Sequence, residues 1–496
     1  MTDDSLKKTA IPEKAAQLRG QHHAFRYERY SVTPISEGLR LDYRFTIEPN
    51  LEFSPHIEIP LRDPLQADRL CNDLTVRRLA FLTGMVEILS YWKLCCSPRI
   101  EIAAGYLSEA EIRFWDALIR KGLGEFFYTN HITPNIDLSI VSFGKPEDHR
   151  TEAHPKNPQG PDSYLVLVGG GKDSIVSLEL LRELPHTAGA TVTPFALNPI
   201  PASLEGIHSA NYPDYLLAKR TIDPKLRDLN SNGYLNGHTP FSALIAFIAT
   251  LTAYTNGQRF VLASNEASAN EGNIDFDGFK INHQYSKSLE FESAFRTYIS
   301  QLHIPVEYVS LLRPLNEIQI CALFSTMSRQ HPIFRSCNRE QTLAARSRHA
   351  ATHPNTASIH RQGWCADCPK CVFTFLCLRC FLAEQELQEI FGVSVDTQPH
   401  FISLASSLAG FSDHKPFECV GTYEEVQSSL VHLISNQKLK LPGTEATEQL
   451  QRHLSKTAPV HLAALLNRWN DHHFLTSPLE SLLRSALQQF NQAHTL

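Results

Sequence analysis

Tyr164-Leu165-Val166-Leu167-Val168 runs directly into Gly169-Gly170-Gly171-Lys172-Asp173-Ser174, and the amphipathic stretch Ile175–Leu184 follows at once. An apolar run, a glycine cluster and a helical period read as a strand, a tight turn and a helix N-terminus. Consecutive glycines let the backbone bend and approach a ligand closely. Free N–H groups at a helix start point at an anion, so the unit reads as a phosphate cradle. A Walker A loop is excluded: it needs glycine where Val166 stands and Ser or Thr where Asp173 stands. A βα turn with a capping Asp or Ser needs about one glycine, not three followed by lysine.

Downstream of this unit, apolar strands alternate with helical patterns. Candidate strands are Tyr164–Val168, Thr191–Leu197, Phe260–Ser264 and Pro305–Leu311; candidate helices are Lys172–Leu184, Phe241–Asn256, Leu289–Leu302 and Asn316–Ser328. Near-continuous apolar strands separated by helices predict an α/β fold, a parallel sheet with helices on both faces. Ligands of such sheets bind at the carboxyl ends of the strands, where the glycine loop lies. Before it, apolar and polar residues alternate from Phe25 to Pro60 as in a small antiparallel sheet, and helical periods run from Leu74 to about Leu94 and from Glu109 to Leu123. The expected layout is a loose N-terminus (1–20), an N-terminal α+β domain (21–155, its end a linker-like 144–161), an α/β domain that carries the phosphate cradle (156–335), a cysteine-rich segment (336–382) and a mainly helical C-terminal region (383–496).

The 496 residues are 42% hydrophobic and 20% charged, ordinary for a globular chain with a large core. A net charge of −6 argues against nucleic acid as a partner. The Arg- and His-rich stretch Arg335–Arg361 is a local exception that a solvated loop explains equally well. The apolar runs Leu244–Tyr254 and Cys371–Leu382 are too short to span a bilayer and read as buried helices. No signal-peptide pattern opens the chain, so a cytoplasmic protein with reduced cysteines is expected.

The loop resembles the Ser-Gly-Gly-x-Asp-Ser loop of the ATP pyrophosphatases (PP-loop enzymes), with Gly169 where serine is usual. That resemblance implies a HUP-like, Rossmann-type core and cleavage of ATP between its α- and β-phosphates. The backbone N–H groups of Gly169, Gly170 and Gly171 are assigned to the phosphates, Lys172 to a point charge, Asp173 to Mg²⁺ and Ser174 to a hydroxyl at the helix start. A second polar constellation begins at the end of a candidate strand: Ser264–Asn273, then Asn282-His283-Gln284-Tyr285-Ser286-Lys287-Ser288. Its density of amide, imidazole, phenol and ammonium groups ahead of a helix marks it as functional.

These segments, together with Phe334-Arg335-Ser336-Cys337-Asn338, Gly363-Trp364-Cys365-Ala366-Asp367-Cys368-Pro369-Lys370-Cys371 and His414-Lys415-Pro416-Phe417-Glu418-Cys419-Val420-Gly421, resemble the ATP-dependent UDP-N-acetylmuramoyl-L-alanyl-L-glutamate epimerases. The resemblance runs from about residue 20 to 440. It implies inversion of the terminal L-glutamate of a UDP-muramoyl dipeptide, with ATP and Mg²⁺ consumed as AMP and diphosphate. Its implied functional partner is the ligase that adds L-glutamate to UDP-muramoyl-L-alanine. Adenylation of the carboxylate makes the neighbouring C–H acidic enough to exchange. Candidates for that exchange are His283, Tyr285, Lys287, Glu418 and Cys419; candidates for substrate binding are Asn265, Glu266, Ser268, Asn273, Asn282, Gln284, Ser286, His414 and Lys415.

Cys337 with Cys365, Cys368 and Cys371, the last three spaced C-x2-C-x2-C, offer four thiolates suited to structural Zn²⁺. An iron–sulfur cluster or plain buried thiols are the alternatives. Two other functions stay open: a PP-loop ligase or sulfur-transfer enzyme acting on a nucleobase or RNA, and a non-catalytic nucleotide-binding scaffold.

Overall fold

The structure is a computed structural model and describes residues 12–144, 161–184, 189–337, 339 and 363–494. Residues 1–11 of the expected loose N-terminus lie outside them, as do nearly all of the linker-like 144–161 and of the Arg/His-rich stretch 335–361.

The strands are β1 (Ala24–Ile35), β2 (Gly38–Ile47), β3 (Leu51–Phe53), β4 (His56–Pro60), β5 (Arg99–Ile102), β6 (Ser139–Ser142), β7 (Ser163–Leu167), β8 (Thr191–Leu197), β9 (Leu216–Thr221), β10 (Phe260–Ala263), β11 (Ile274–Phe276), β12 (Phe279–Ile281) and β13 (Glu307–Ser310). One 11-stranded sheet runs β13-β10-β7-β8-β9-β4-β2-β1-β5-β6, with β3 beside β2; β11 and β12 form a separate hairpin. Pairing is parallel from β13 through β9, antiparallel from β9 through β1, and parallel again through β6.

Period-two alternation explains why helices flank the central strands. Leu165 and Val261 pack into one core, whereas Tyr164, Val166, Phe260 and Leu262 pack into another. The first core includes helices Leu74–Trp92, Phe241–Thr255 and Leu289–Gln301; the second includes Lys172–Leu181, Glu317–Ser325 and Pro369–Arg379. The C-terminal helices Phe401–Leu408, Tyr423–Ser435, Glu445–Thr457 and Ser477–Ala493 add their apolar stripes to the second core.

The expected antiparallel sheet is present but does not stand apart: β9 joins it to the parallel strands. β9 reads Leu-Leu-Ala-Lys-Arg-Thr, too short and too charged to signal a strand, and it pairs parallel to β8 and antiparallel to β4. Arg220 of β9 reaches helix Leu74–Trp92, donating to both Glu87 carboxylate oxygens at 2.8 and 2.9 Å and to Ser90 Oγ at 2.9 Å. Glu87 is fully buried, so its charge depends on this fork. Arg220→Met is expected to cost about 3–5 kcal/mol, because it strands a buried carboxylate. Urea unfolding of Arg220→Met and of Arg220→Met/Glu87→Leu tests this: the double variant recovers much of the loss if the stranded charge is the cause.

Candidate active site

The glycine loop leaves β7 and enters helix Lys172–Leu181 with Gly171 as the N-cap. Gly170 holds φ at +84°, and a Cβ there would sit 2.8 Å from Ser203 N, so only glycine fits. Ser174 folds the turn, accepting from Gly170 N (3.2 Å) and donating to the Gly171 carbonyl (2.9 Å). Arg335 N donates to the Gly170 carbonyl at 2.9 Å, which fastens the cysteine-rich segment to the loop. A Cβ on Gly169 meets nothing within 4 Å, so no clash dictates the departure from serine there.

The second constellation is held by a buried ion pair. Arg313 and Glu292 are 0% and 1% exposed, and the guanidinium lies 3.0 and 3.1 Å from Glu292 Oε2. Arg313 also donates to the carbonyls of Glu266 and Lys287, and Glu292 accepts from Ser310 N at 2.8 Å. Helix Leu289–Gln301 starts here with Ser288 as its cap. The segment after His414 is tied to this scaffold. Asn273 donates to the Pro416 carbonyl (2.8 Å), Gln284 to Val420 (3.1 Å), and Lys370 to the Cys419 carbonyl.

A cavity of about 510 Å³ opens where these segments meet, at the carboxyl ends of β7, β8 and β10. Its lining takes in Gly169, Gly171, Asp173 and Ser174 from the loop together with Asn265, His283, Gln284, Ser286, Lys287 and Cys419. Phe195, Leu197, Ile200, Phe241 and Ile245 give it an apolar side, and Arg335, Ser336 and Lys370 a polar one.

Its charges are coupled. Lys287 Nζ lies 3.4 Å from Cys419 Sγ. Burial works against a Cys419 thiolate, but Lys287 and a hydrogen bond from His283 outweigh it and bring its pKa down to about 5. Burial likewise opposes charge on His283, yet its bonds to Cys419 and Glu125 lift its pKa to about 10. Glu125, from helix Gly124–Thr129, contacts His283 Nδ1 and lies 3.5 Å from His238 Nδ1. Burial and the neighbouring His283 pull His238 down to about 3, leaving it a neutral imidazole. Cys419 and His283 thus form a thiolate–imidazolium pair backed by a carboxylate.

Several candidates take structural positions outside the cavity wall. Lys172 is 1% exposed, with its ammonium between Asp173 and an equally buried Glu317. Lys370, which the sequence reading left unassigned, reaches the cavity instead. Tyr285 packs in the core against Phe291. Glu266 is buried, and burial followed by Asp173 raises its pKa. Ser268 donates to Glu425 at 2.7 Å, Asn282 to the Ala269 carbonyl at 2.9 Å, and Asn273 accepts from His283 N at 2.8 Å. Lys415 pairs with Glu271 at 2.9 Å, exposed His414 packs on Tyr128 and Phe417, and Glu418 is half-buried beside Cys419. Glu125 and His238 were missed. Asn236-Gly237-His238 before an apolar helix was a weak signal, whereas nothing local marks Glu125.

On the far side of Arg335 and Lys370, the sulfurs of Cys337, Cys365, Cys368 and Cys371 all lie within 4.8 Å of one another, with Cys365 and Cys371 at 3.8 Å. A tetrahedron of Zn–S bonds of about 2.3 Å has edges of about 3.8 Å, so the donor set fits Zn²⁺. Cys368 also caps helix Pro369–Arg379, accepting from Cys371 N at 3.4 Å.

A glycine loop and a thiolate–imidazolium pair lining one cavity of a mostly parallel sheet point to an α/β enzyme. Two family models match it, the MurL N-terminal domain over residues 16–311, which takes in the whole large sheet, and the MurL C-terminal domain over 333–464. The chain belongs to the MurL family and is an enzyme of the isomerase class. It is similar to three proteins named UDP-N-acetyl-alpha-D-muramoyl-L-alanyl-L-glutamate epimerase. That of a Micromonospora species is 35% identical, covering 82% of this chain and 86% of the relative. That of Salinispora tropica is 34% identical (82% and 84%), and that of Xanthomonas oryzae pv. oryzae 32% (74% and 77%). No solved structure matches the chain.

A thiolate exists above its pKa, so Cys419 should react with iodoacetamide at mildly acidic pH and lose reactivity only as pH falls through about 5. Lys287→Met should move that fall to higher pH. Peptide mass spectrometry at Cys419 checks both, and onset near the ordinary thiol value of about 8.5 would contradict the ion pair.

Proposed function

We propose that the chain inverts the terminal L-glutamate of UDP-N-acetylmuramoyl-L-alanyl-L-glutamate to D-glutamate, with ATP and Mg²⁺, releasing AMP and diphosphate for peptidoglycan precursor synthesis. The observation that carries the reading is one cavity lined by both the glycine loop and the charged Cys419–His283–Lys287 group. We read the loop and the β7–β10 region as a PP-loop, Rossmann-type nucleotide site, supported by its place at the strands' carboxyl ends.

The chemistry follows from the charge on the substrate. An α-hydrogen beside a free carboxylate is very hard to remove, since the product would carry two adjacent negative charges. Transfer of AMP to the carboxylate converts it to a mixed anhydride whose enolate is accessible. The N–H groups of Gly169 and Gly171 and the Lys370 ammonium are assigned to the phosphates, while the Gly170 N–H stays in the turn on Ser174 Oγ. Asp173, kept ionised by Lys172 and Lys370 although burial opposes this, would hold Mg²⁺, which neutralises phosphate charge. His283, Lys287 and Cys419 surround the reacting end, and His238 stands beside them as a neutral base. The apolar side, with Phe195 and Phe241, suits the nucleoside. The ligase that makes the substrate is the functional partner, and the free thiols suit the cytoplasm.

Incubation with ATP, Mg²⁺ and the L-glutamate substrate is expected to yield AMP and D-glutamate, with solvent deuterium at the α-carbon. AMP formation without inversion, or inversion without AMP, would sink the reading. Lys370→Ala is expected to raise the KM for ATP roughly 10- to 100-fold, the worth of a charge-assisted bond of ~1.5–3 kcal/mol. Lys172→Ala should instead lower thermal stability, since it bares the buried Glu317.

We propose that the four cysteines hold structural zinc. About one zinc per chain is expected by elemental analysis. Cys368→Ser should lose the metal and lower the melting temperature. Iron in its place would indicate a cluster, and no metal would leave plain buried thiols.

A further inference from the structure

We propose that Cys419 is the nucleophile of this site: its thiolate displaces AMP from the activated glutamate and carries the substrate as a thioester while the α-carbon is inverted. The inference rests on the function proposed above and deepens it.

Geometry carries it. Cys419 and the glycine loop line the same cavity, so an acyl-phosphate centre made at the loop forms in the space that Cys419 borders. Lys287 Nζ stands 3.4 Å from the sulfur, and His283 pairs with the thiolate while Glu125 takes its Nδ1. Thiol, imidazole and carboxylate in this order are the arrangement that activates a sulfur nucleophile. A thiolate kept ionised at neutral pH is a weak base for a C–H proton but a strong nucleophile toward an activated acyl group. The loop segment bearing Cys419 is pinned from two sides, by Lys370 on its carbonyl and Gln284 on Val420. A base that only shuttles protons needs less fixing than an atom that must reach a carbonyl carbon along one line.

The steps balance. A sulfur lone pair forms the S–C bond at the glutamate carbonyl, and the C–O bond to the phosphate breaks with its electron pair on oxygen, so AMP leaves. No proton is gained or lost in that step. The thioester carbonyl keeps the α-hydrogen acidic, a base takes it, and an acid returns a proton to either face. Water then adds to the carbonyl and gives its protons to the site and solvent. The C–S bond breaks with its pair on sulfur, restoring the thiolate and releasing the carboxylate. A thioester outlasts an acyl-adenylate in water, which gives the α-carbon time to invert before release.

The test is acid quench of the full-length enzyme during its first turnover with ATP, Mg²⁺ and the L-glutamate substrate. The expected result is a mass gain of one substrate less one water, mapped to Cys419 and removed by neutral hydroxylamine. Cys419→Ser is expected to accumulate the more slowly hydrolysed oxygen ester. A melting temperature equal to that of the wild-type enzyme certifies its fold. AMP and D-glutamate formed with no adduct on the wild-type enzyme and none on Cys419→Ser would overturn the thioester and leave the epimerase reading standing. No AMP from the wild-type enzyme would instead sink the function itself.

Discussion

The buried Arg313–Glu292 pair is the constraint on which the reacting end of the cavity depends. Two charges removed from water must be compensated almost completely, and a guanidinium has five donors in a fixed fork. Here those donors are used on Glu292, on the carbonyls of Glu266 and Lys287 and on Ser310 Oγ, while Glu292 takes Ser310 N. Three stretches distant in sequence, after β10, before helix Leu289–Gln301 and at the end of β13, are thereby held in one register. Lys287 can reach Cys419 because its own carbonyl is fixed from behind. A hydrophobic substitute could fill the same volume, but it would not fix the direction of a backbone carbonyl.

The lysines divide the electrostatic labour. Lys172 has the position in sequence that suggests a phosphate contact, yet its ammonium neutralises Asp173 and Glu317 inside the protein. It therefore sets the charge of Asp173 rather than meeting a ligand. Lys370 lines the cavity with its ammonium on the Cys419 carbonyl, and its charge helps to keep Asp173 ionised. The cysteine cluster adjoins it. Cys337 follows Arg335 and Ser336, and Lys370 lies between Cys368 and Cys371, so the four sulfurs gathered within 4.8 Å of one another tie both segments on this side of the cavity together.

The sequence made the local parts readable. The glycine loop, the central strands and their helices lie within a few residues of the ranges read from periodicity, because each buries a continuous apolar stripe. Cys419, His283 and Lys287 were legible as reactive types in polar segments, His283 and Lys287 beyond strand β10 and Cys419 in the loop before helix Tyr423–Ser435. β9 was not, since a short edge-like run with Lys219 and Arg220 becomes a strand only when β4 and β8 lie on either side of it. Glu125 was not either: it sits on a six-residue helix with no motif around it, and its meaning comes from His283, far along the chain. Tyr285 illustrates the converse error, a polar label on a ring that the core absorbs.

Glu125 also gives the N-terminal part of the chain a chemical role. Glu125, which together with Cys419 raises the pKa of His283, belongs to the region built around β1–β6, while His283 and Cys419 belong to segments beyond β10. An ion pair of this kind weakens steeply if its partners drift by an ångström or two. A flexible tether between two sheets would allow such drift. Pairing β9 with β4, and clamping Arg220 onto Glu87, makes both regions parts of one sheet and removes that freedom. Continuity of the sheet thus joins the region that carries Glu125 to the segments that carry His283 and Cys419.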